Sequence, residues 1–144
     1  MRHVLILSLL LAAAPAAAEE SEESERLPPV ANALVKKECG ACHMTYQPQL
    51  LPGASWEAIF ADLGRHFGED ATLDDKPRAE ILAYYLANAG KGKAGRASPN
   101  RITETPWWIG DHRGIGEARW NKAKFKGNCV ACHEGAERGY YEDD

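Results

Sequence analysis

"GNCVACHEGAERGYYEDD", residues 127–144, carries Cys129, Cys132 and His133 in the spacing C-x-x-C-H. That spacing is the local signature of covalent c-type haem attachment. Each cysteine sulfur adds to a vinyl group on one edge of the porphyrin, and the histidine that follows lies under the ring and offers its imidazole to the iron. The arrangement occurs a second time, at Cys39, Cys42 and His43, so the two motifs together use every cysteine in the chain. Eleven residues follow His133, and none is His, Met, Cys or Lys. A ligand for the opposite face of that haem therefore has to come from upstream.

Four cysteines have other possible fates. Two disulfides would suit an oxidising compartment, but cysteines two residues apart close strained small loops, and both adjacent histidines would be left without a purpose. A zinc site would have to join the two pairs across 86 intervening residues, against about 15–20 in a zinc ribbon. Two haems c account for all six residues at once.

The chain's 144 residues suggest one compact domain or two very small ones. Residues 1–18, "MRHVLILSLLLAAAPAAA", have a short basic start, an apolar run and a small-residue end. This is the layout of a secretory signal peptide, with cleavage expected after Ala18. The apolar run is shorter than the roughly 20 residues a membrane span needs, which disfavours a retained anchor. A periplasmic, exported protein without stable membrane insertion is expected. Loss of Arg2 with the leader takes the formal charge from −4 to −5. An acidic balance of this kind gives no support to nucleic-acid binding, which usually shows as a basic patch.

Residues 19–29 are acidic and end in two prolines, and read as a flexible leader. Residues 30–90 read as an N-terminal haem domain, 91–100 as a linker by composition, and 101–144 as a C-terminal haem-binding segment. Within the first unit, Val30, Leu34 and Val35 fall at helical spacing and lead straight into the first motif. Residues 45–54, with two prolines and a glycine, read as a loop. Ser55 is the expected N-cap of a helix that places Trp56, Ile59, Phe60, Leu63 and Phe67 on one stripe and stops at Gly68. A second helix is expected from about Asp75–Pro77, burying Ile81, Leu82, Tyr85 and Leu86, and ending at Gly90. Beyond residue 100 little periodicity is visible, so irregular chain is expected, with a turn or two of helix around Gly116–Lys124. Some 44 residues are too few to enclose a haem with an independent core. The C-terminal segment must then pack on the first unit, in a mainly α fold that brings the two haems near each other.

The processed chain contains four histidines, His43, His66, His112 and His133, for the four axial positions of two haems. Met44 directly follows His43 and cannot cross to the opposite face of the same haem; for the second haem it would have to reach across. His66, on the expected apolar face of its helix, and His112, in the loop "IGDHRG", are therefore the expected sixth ligands. A histidine on an apolar face is otherwise an ordinary core residue, and one in a polar loop an ordinary exposed side chain. His112 is expected to serve the haem held by His133; the swapped pairing, with His66 there, demands a longer reach. Two imidazoles saturate the iron and give a lower potential than His/Met ligation, which points to an electron carrier rather than an enzyme. A small dihaem peroxidase or reductase would need one labile sixth ligand. An electron-transfer subunit of a larger reductase complex would have the same haem chemistry and a different partner, and a redox sensor would need a signalling segment. Arg119, Lys122, Lys124 and Lys126, just before the second motif, could steer an acidic partner to the haem edge or form an ordinary solvated face.

The stretches "CGACHMTYQPQLLPGASW" (39–56), "HFG" (66–68), "RITETPWW" (101–108) and "NCVACHEGAERG" (128–139) resemble the dihaem cytochrome c (DHC) family of exported bacterial electron carriers. The resemblance runs from about Pro28 to Tyr141. It implies covalent haems on Cys39/Cys42/His43 and Cys129/Cys132/His133, with His66 and His112 as sixth ligands. The N-terminal half is also similar to a trimmed class I cytochrome c. Members of the family are associated with a small oxygen-binding monohaem cytochrome and with membrane b-type cytochromes. A monomeric shuttle between partners of those kinds is what the resemblance implies.

Overall fold

The structure is a computed structural model that describes residues 26–91 and 100–142. The expected signal peptide, most of the expected acidic leader and most of the expected linker lie outside the described residues. The described chain is helical, and its one isolated antiparallel bridge joins His66 to Glu69. No helix among the described residues is long and apolar enough to cross a membrane.

Helix α1, Ala33–Cys39, starts where the Asn32 side chain accepts hydrogen bonds from the backbone N–H groups of Leu34 and Val35, at 2.9 and 3.1 Å. Such an N-cap satisfies two of the four donors a helix start leaves open. At its far end the Gly40 N–H donates to the Lys36 carbonyl at 3.1 Å, and a Cβ on Gly40 would collide with that oxygen. The glycine thus permits the tight turn that carries the chain from Cys39 to Cys42.

The expected loop at 45–54 contains a single 3₁₀ turn, Pro48–Leu50, whose Pro48 carbonyl accepts from Trp56 Nε1–H at 2.8 Å. Helix α2, Gly53–Ala61, begins two residues before Ser55. Pro52 stands at its N-cap and its carbonyl takes the N–H groups of Ser55 and Trp56, so Ser55 is a buried helical residue and not the cap. The helix is also shorter than its apolar spacing suggests. Asp62 leaves helical geometry, a 3₁₀ turn covers Leu63–Arg65, and Phe67 and Gly68 both adopt positive φ, 55° and 110°. Trp56, Ile59, Phe60 and Leu63 are buried, while Phe67 turns outward.

Helix α3, Asp75–Asn88, packs on α2 through Tyr85, whose ring lies 4.4 Å from that of Trp56 and 5.8 Å from that of Phe60. Ile81 and Tyr85 are buried; Leu82 is half-buried and Leu86 largely exposed, narrowing the expected four-residue stripe. At Leu86 the facing residue of α2 is Gly53, which offers no side chain to cover it; a Cβ there would come 3.5 Å from Leu86 Cδ2. The Gly90 N–H donates to the Leu51 carbonyl at 2.8 Å and closes this unit.

The C-terminal segment is more ordered than expected. A 3₁₀ turn, Ile102–Glu104, leads into helix α4, Pro106–Asp111, which Thr105 caps through its side chain and Pro106 opens. Helix α5, Glu117–Ala123, follows, and 3₁₀ turns at Cys129–Ala131 and Ala136–Arg138 surround the second motif. Ile102 and Trp108 enter the same buried cluster as Val30, Val35, Leu51, Trp56, Phe60 and Ile81. The segment therefore shares the core of the first unit, as its length requires.

Four polar ties fix the join. Tyr46 donates its hydroxyl to the Gly127 carbonyl at 2.7 Å, and Gln47 Nε2–H to the Ala136 carbonyl at 2.7 Å. The Tyr141 hydroxyl donates to Gln47 Oε1, and the Leu27 N–H to the Gly139 carbonyl at 3.0 Å. Gly139 has φ +85°, and a Cβ there would collide with Leu27, so glycine is required where the N-terminal strand of chain crosses the C-terminal turn.

Candidate functional site

The four histidines come together as two pairs, one in each half of the chain. His43 and His66 have ring centroids 6.2 Å apart with 22° between planes; His112 and His133 are 6.1 Å apart with 83° between planes. These separations exceed van der Waals stacking and fit a shared metal. Two metal–imidazole bonds of about 2 Å, with about 1.1 Å from each ring nitrogen to its ring centre, separate the centroids by roughly 6 Å. Met44 is buried beside His43 and is absent from the residues that line the cavity at His112 and His133.

His66 reaches its position from the 3₁₀ turn and the bridge to Glu69, not from the apolar face of α2 as the periodicity predicts. Its N–H donates to the Glu69 carbonyl at 2.9 Å, and the Glu69 N–H returns to His66 O at 3.1 Å. The buried Nδ1 has no hydrogen-bond partner. Burial holds the imidazole pKa below its ordinary value, with His43 and Arg101 adding to the effect. A neutral imidazole is the form that ligates a metal. His112 is the C-cap of α4, in place of the expected open loop, and its ring lies 4.1 Å from that of Trp108 at 13°.

Two of the imidazoles are oriented by backbone carbonyls. His43 Nδ1 is 2.6 Å from Met44 O, and His112 Nδ1 is 2.9 Å from Trp108 O. With Nδ1–H donating, Nε2 carries the lone pair in both rings; second contacts of this type fix the tautomer and plane of a ligating histidine. The Tyr46 ring stacks on His43 at 4.7 Å, and Tyr141 meets His133 at 5.7 Å edge-on. Burial pushes the Tyr46 hydroxyl up to about 12, so it stays a neutral donor to Gly127.

The two attachment motifs match in exposure. In each, the first cysteine (Cys39, Cys129) is half-buried and the second (Cys42, Cys132) exposed. Burial pushes the thiols of Cys39 and Cys129 up to about 11, an environment that favours an uncharged sulfur such as a thioether. A cavity of about 790 Å³ opens between His112 and His133 and is walled by Trp108, Trp120, Ile102 and Tyr141, with Cys129 and Cys132 on its rim. Its size lies within the range of sites for cofactor-sized ligands, about 300–1,000 Å³. The residues present thus fit a covalently tethered haem at each pair.

Sequence reasoning missed Tyr46, Gln47, Trp108 and Tyr141, which hold the histidines or join the two units. Thr105–Pro106 did carry a signal, since a capping residue followed by proline marks a helix start. The other contacts had none.

The family model described as dihaem cytochrome c matches residues 35–141. The diheme cytochrome c from Rhodobacter sphaeroides is 45% identical, with a TM-score of 0.74 over 78% of this chain and 98% of that one. The diheme cytochrome c of Shewanella baltica OS155 is 36% identical, with a TM-score of 0.68 over 77% of this chain and 87% of that one. No curated protein sequence matches. The family carries two covalently bound haems c and serves electron transfer; with its pattern spanning both attachment motifs, this chain belongs to the dihaem cytochrome c family.

Proposed function

We propose that the chain is an exported one-electron carrier whose two haems are each held between two imidazoles, His43 with His66 and His133 with His112. The observation that carries this reading is the pairing itself: four histidines in two couples at 6.2 and 6.1 Å. Cys39 and Cys42 would tether the first haem, Cys129 and Cys132 the second. When bound, each haem supplies a reversible ferric/ferrous couple. Two nitrogen ligands leave no open position for oxygen or peroxide, and they set a low potential.

The compartment is the periplasm, on the strength of the signal-like residues 1–18. The partners would be a membrane b-type cytochrome or quinol oxidoreductase as donor and a soluble terminal haem protein, of the small oxygen-binding monohaem kind, as acceptor. Supporting a docking face, Lys122, Lys124 and Lys126 are exposed, with Phe125 and Val130 exposed beside them next to the second motif. An apolar centre with a cationic rim suits a brief encounter with an acidic partner.

The test is a redox titration with magnetic-resonance spectra on wild type, His66→Met and His112→Met. Each substitution should raise the potential and alter the low-spin spectrum of one haem and leave the other unchanged. If both variants keep both haems as in wild type, the ligand assignment is wrong.

A further inference from the structure

The two histidine pairs differ in one respect that ligand identity does not capture: 22° between planes in the first, 83° in the second. In the second pair the planes are set by separate parts of the chain. Trp108 is buried in the shared core, and its backbone N–H is bound by Thr105 Oγ1 at 3.3 Å. His112, four residues on, lies flat on the Trp108 ring and gives its Nδ1–H to the carbonyl of the same residue. His133 is turned by Tyr141, which meets it at 65° and is itself held by Gln47.

We propose that Trp108 is a positioning residue that turns the His112 imidazole crosswise to that of His133, making the second haem the higher-potential, electron-receiving member of the pair. The proposal rests on the bis-histidine reading above. In a low-spin ferric haem the odd electron occupies a pair of nearly degenerate iron orbitals directed at the axial ligands' π systems. Parallel imidazoles split that pair and stabilise the ferric state. Crossed imidazoles act on both orbitals alike and forgo the splitting, while the filled ferrous set is indifferent. Crossing therefore raises the potential.

Two further features act in the same direction. The cavity at the second pair is lined by three tryptophans and by five basic side chains against two carboxylates, and both burial and positive charge disfavour the ferric form. At the first pair His43 Nδ1 makes the shorter contact, 2.6 Å to a carbonyl; at His112 the contact is 2.9 Å and the same oxygen also accepts the His112 backbone N–H at 3.0 Å. The stronger hydrogen bond makes His43 the better donor to iron and lowers its haem's potential. Arg101, the cation beside the first pair, is matched by Glu104 at 3.0 Å.

The experiment is electron paramagnetic resonance of the oxidised holoprotein, followed through a potentiometric titration. One rhombic low-spin signal and one strongly anisotropic signal with a single large-g feature are expected, and the anisotropic one should vanish first as the potential is lowered. In Trp108→Leu the anisotropic feature should give way to a rhombic one and the second midpoint should fall towards the first, with the first haem unaltered. Two rhombic signals in wild type, loss of the rhombic signal first, or a Trp108→Leu spectrum identical to wild type would each overturn the proposal and leave bis-histidine ligation standing. A high-spin second haem in wild type would overturn both, because it removes the imidazole on which Trp108 acts. The wild-type titration decides the matter even where Trp108→Leu does not fold.

Discussion

Gln47 is fully buried and serves both halves of the molecule: Nε2–H donates to the Ala136 carbonyl at 2.7 Å, and Oε1 accepts from the Tyr141 hydroxyl. Gln47→Leu keeps the volume and removes both bonds. Each is worth about 1 kcal/mol net, and a buried partner left unsatisfied adds about 1–3 kcal/mol. The buried Ala136 carbonyl keeps the Gly139 N–H at 2.9 Å, and Tyr141 is only half-buried so its hydroxyl can recover water; neither partner is left bare. The expected loss is therefore about 2 kcal/mol, or a Tm lower by roughly 7 °C for a chain of this size. Urea unfolding of the holoprotein, followed by far-UV circular dichroism, measures it. Tyr141→Phe alone should cost about 1 kcal/mol, and the double variant should cost less than the two singles combined, because they share one bond. A loss below about 1 kcal/mol for Gln47→Leu, or strict additivity in the cycle, would refute the idea that this side chain joins the two units.

Neutralising Lys122, Lys124 and Lys126 to Gln should slow electron exchange with an acidic redox partner about tenfold at low ionic strength and flatten its dependence on salt; unchanged stopped-flow rates would remove the docking role. In the haem-free chain acid should weaken the fold through His66, whose imidazole pKa there lies below its ordinary 6.5 chiefly because it is buried. The unfolded chain takes up this proton near 6.5 and the folded chain only at lower pH, so stability is full above 6.5 and falls as pH drops below it. The urea midpoint should decline between about pH 7 and about pH 5, and less steeply in His66→Gln; equal slopes would show that His66 contributes nothing.

The attachment motifs are legible because each lies within five consecutive residues. The candidate roles of His66 and His112 come only from a count, as the imidazoles left over once His43 and His133 are assigned to their motifs. Their local structure is not legible. Helical spacing from Trp56 through Phe67 suggests one continuous helix, but Asp62 leaves helical geometry and Phe67 enters the left-handed region. Helix α4 spans six residues, too few for a periodic pattern, although its capping Thr105 and opening Pro106 stand in plain view. The ties made by Tyr46 and Gln47 join residues 81 to 94 positions apart, and no local rule reaches that far. The need for such ties was nonetheless readable, since a 44-residue segment cannot enclose a haem alone.

All four imidazoles stand at or just beyond the ends of short helical segments. His112 caps α4 and His66 caps the Leu63–Arg65 turn, while His43 and His133 follow α1 and the Cys129–Ala131 turn. Inside a helix every carbonyl is taken by the N–H four residues on; at the end carbonyls are left over. Trp108 O, in the last turn of α4, accepts the His112 N–H and has a second lone pair free of the helix for Nδ1 of His112. A chain this small thus obtains an oriented imidazole without a dedicated second residue. The cost is that helices of six or seven residues do not stand alone in water. The order of each imidazole therefore depends on what its segment packs against. For His112 that is the buried Trp108 ring, and for His133 it is Tyr141 on Gln47. Stability of the join between the two units and the geometry of the second histidine pair are consequently one property. A change that loosens Gln47 should disturb the angle at the second pair before it disturbs the first, where Tyr46 holds His43 through its own bond to Gly127.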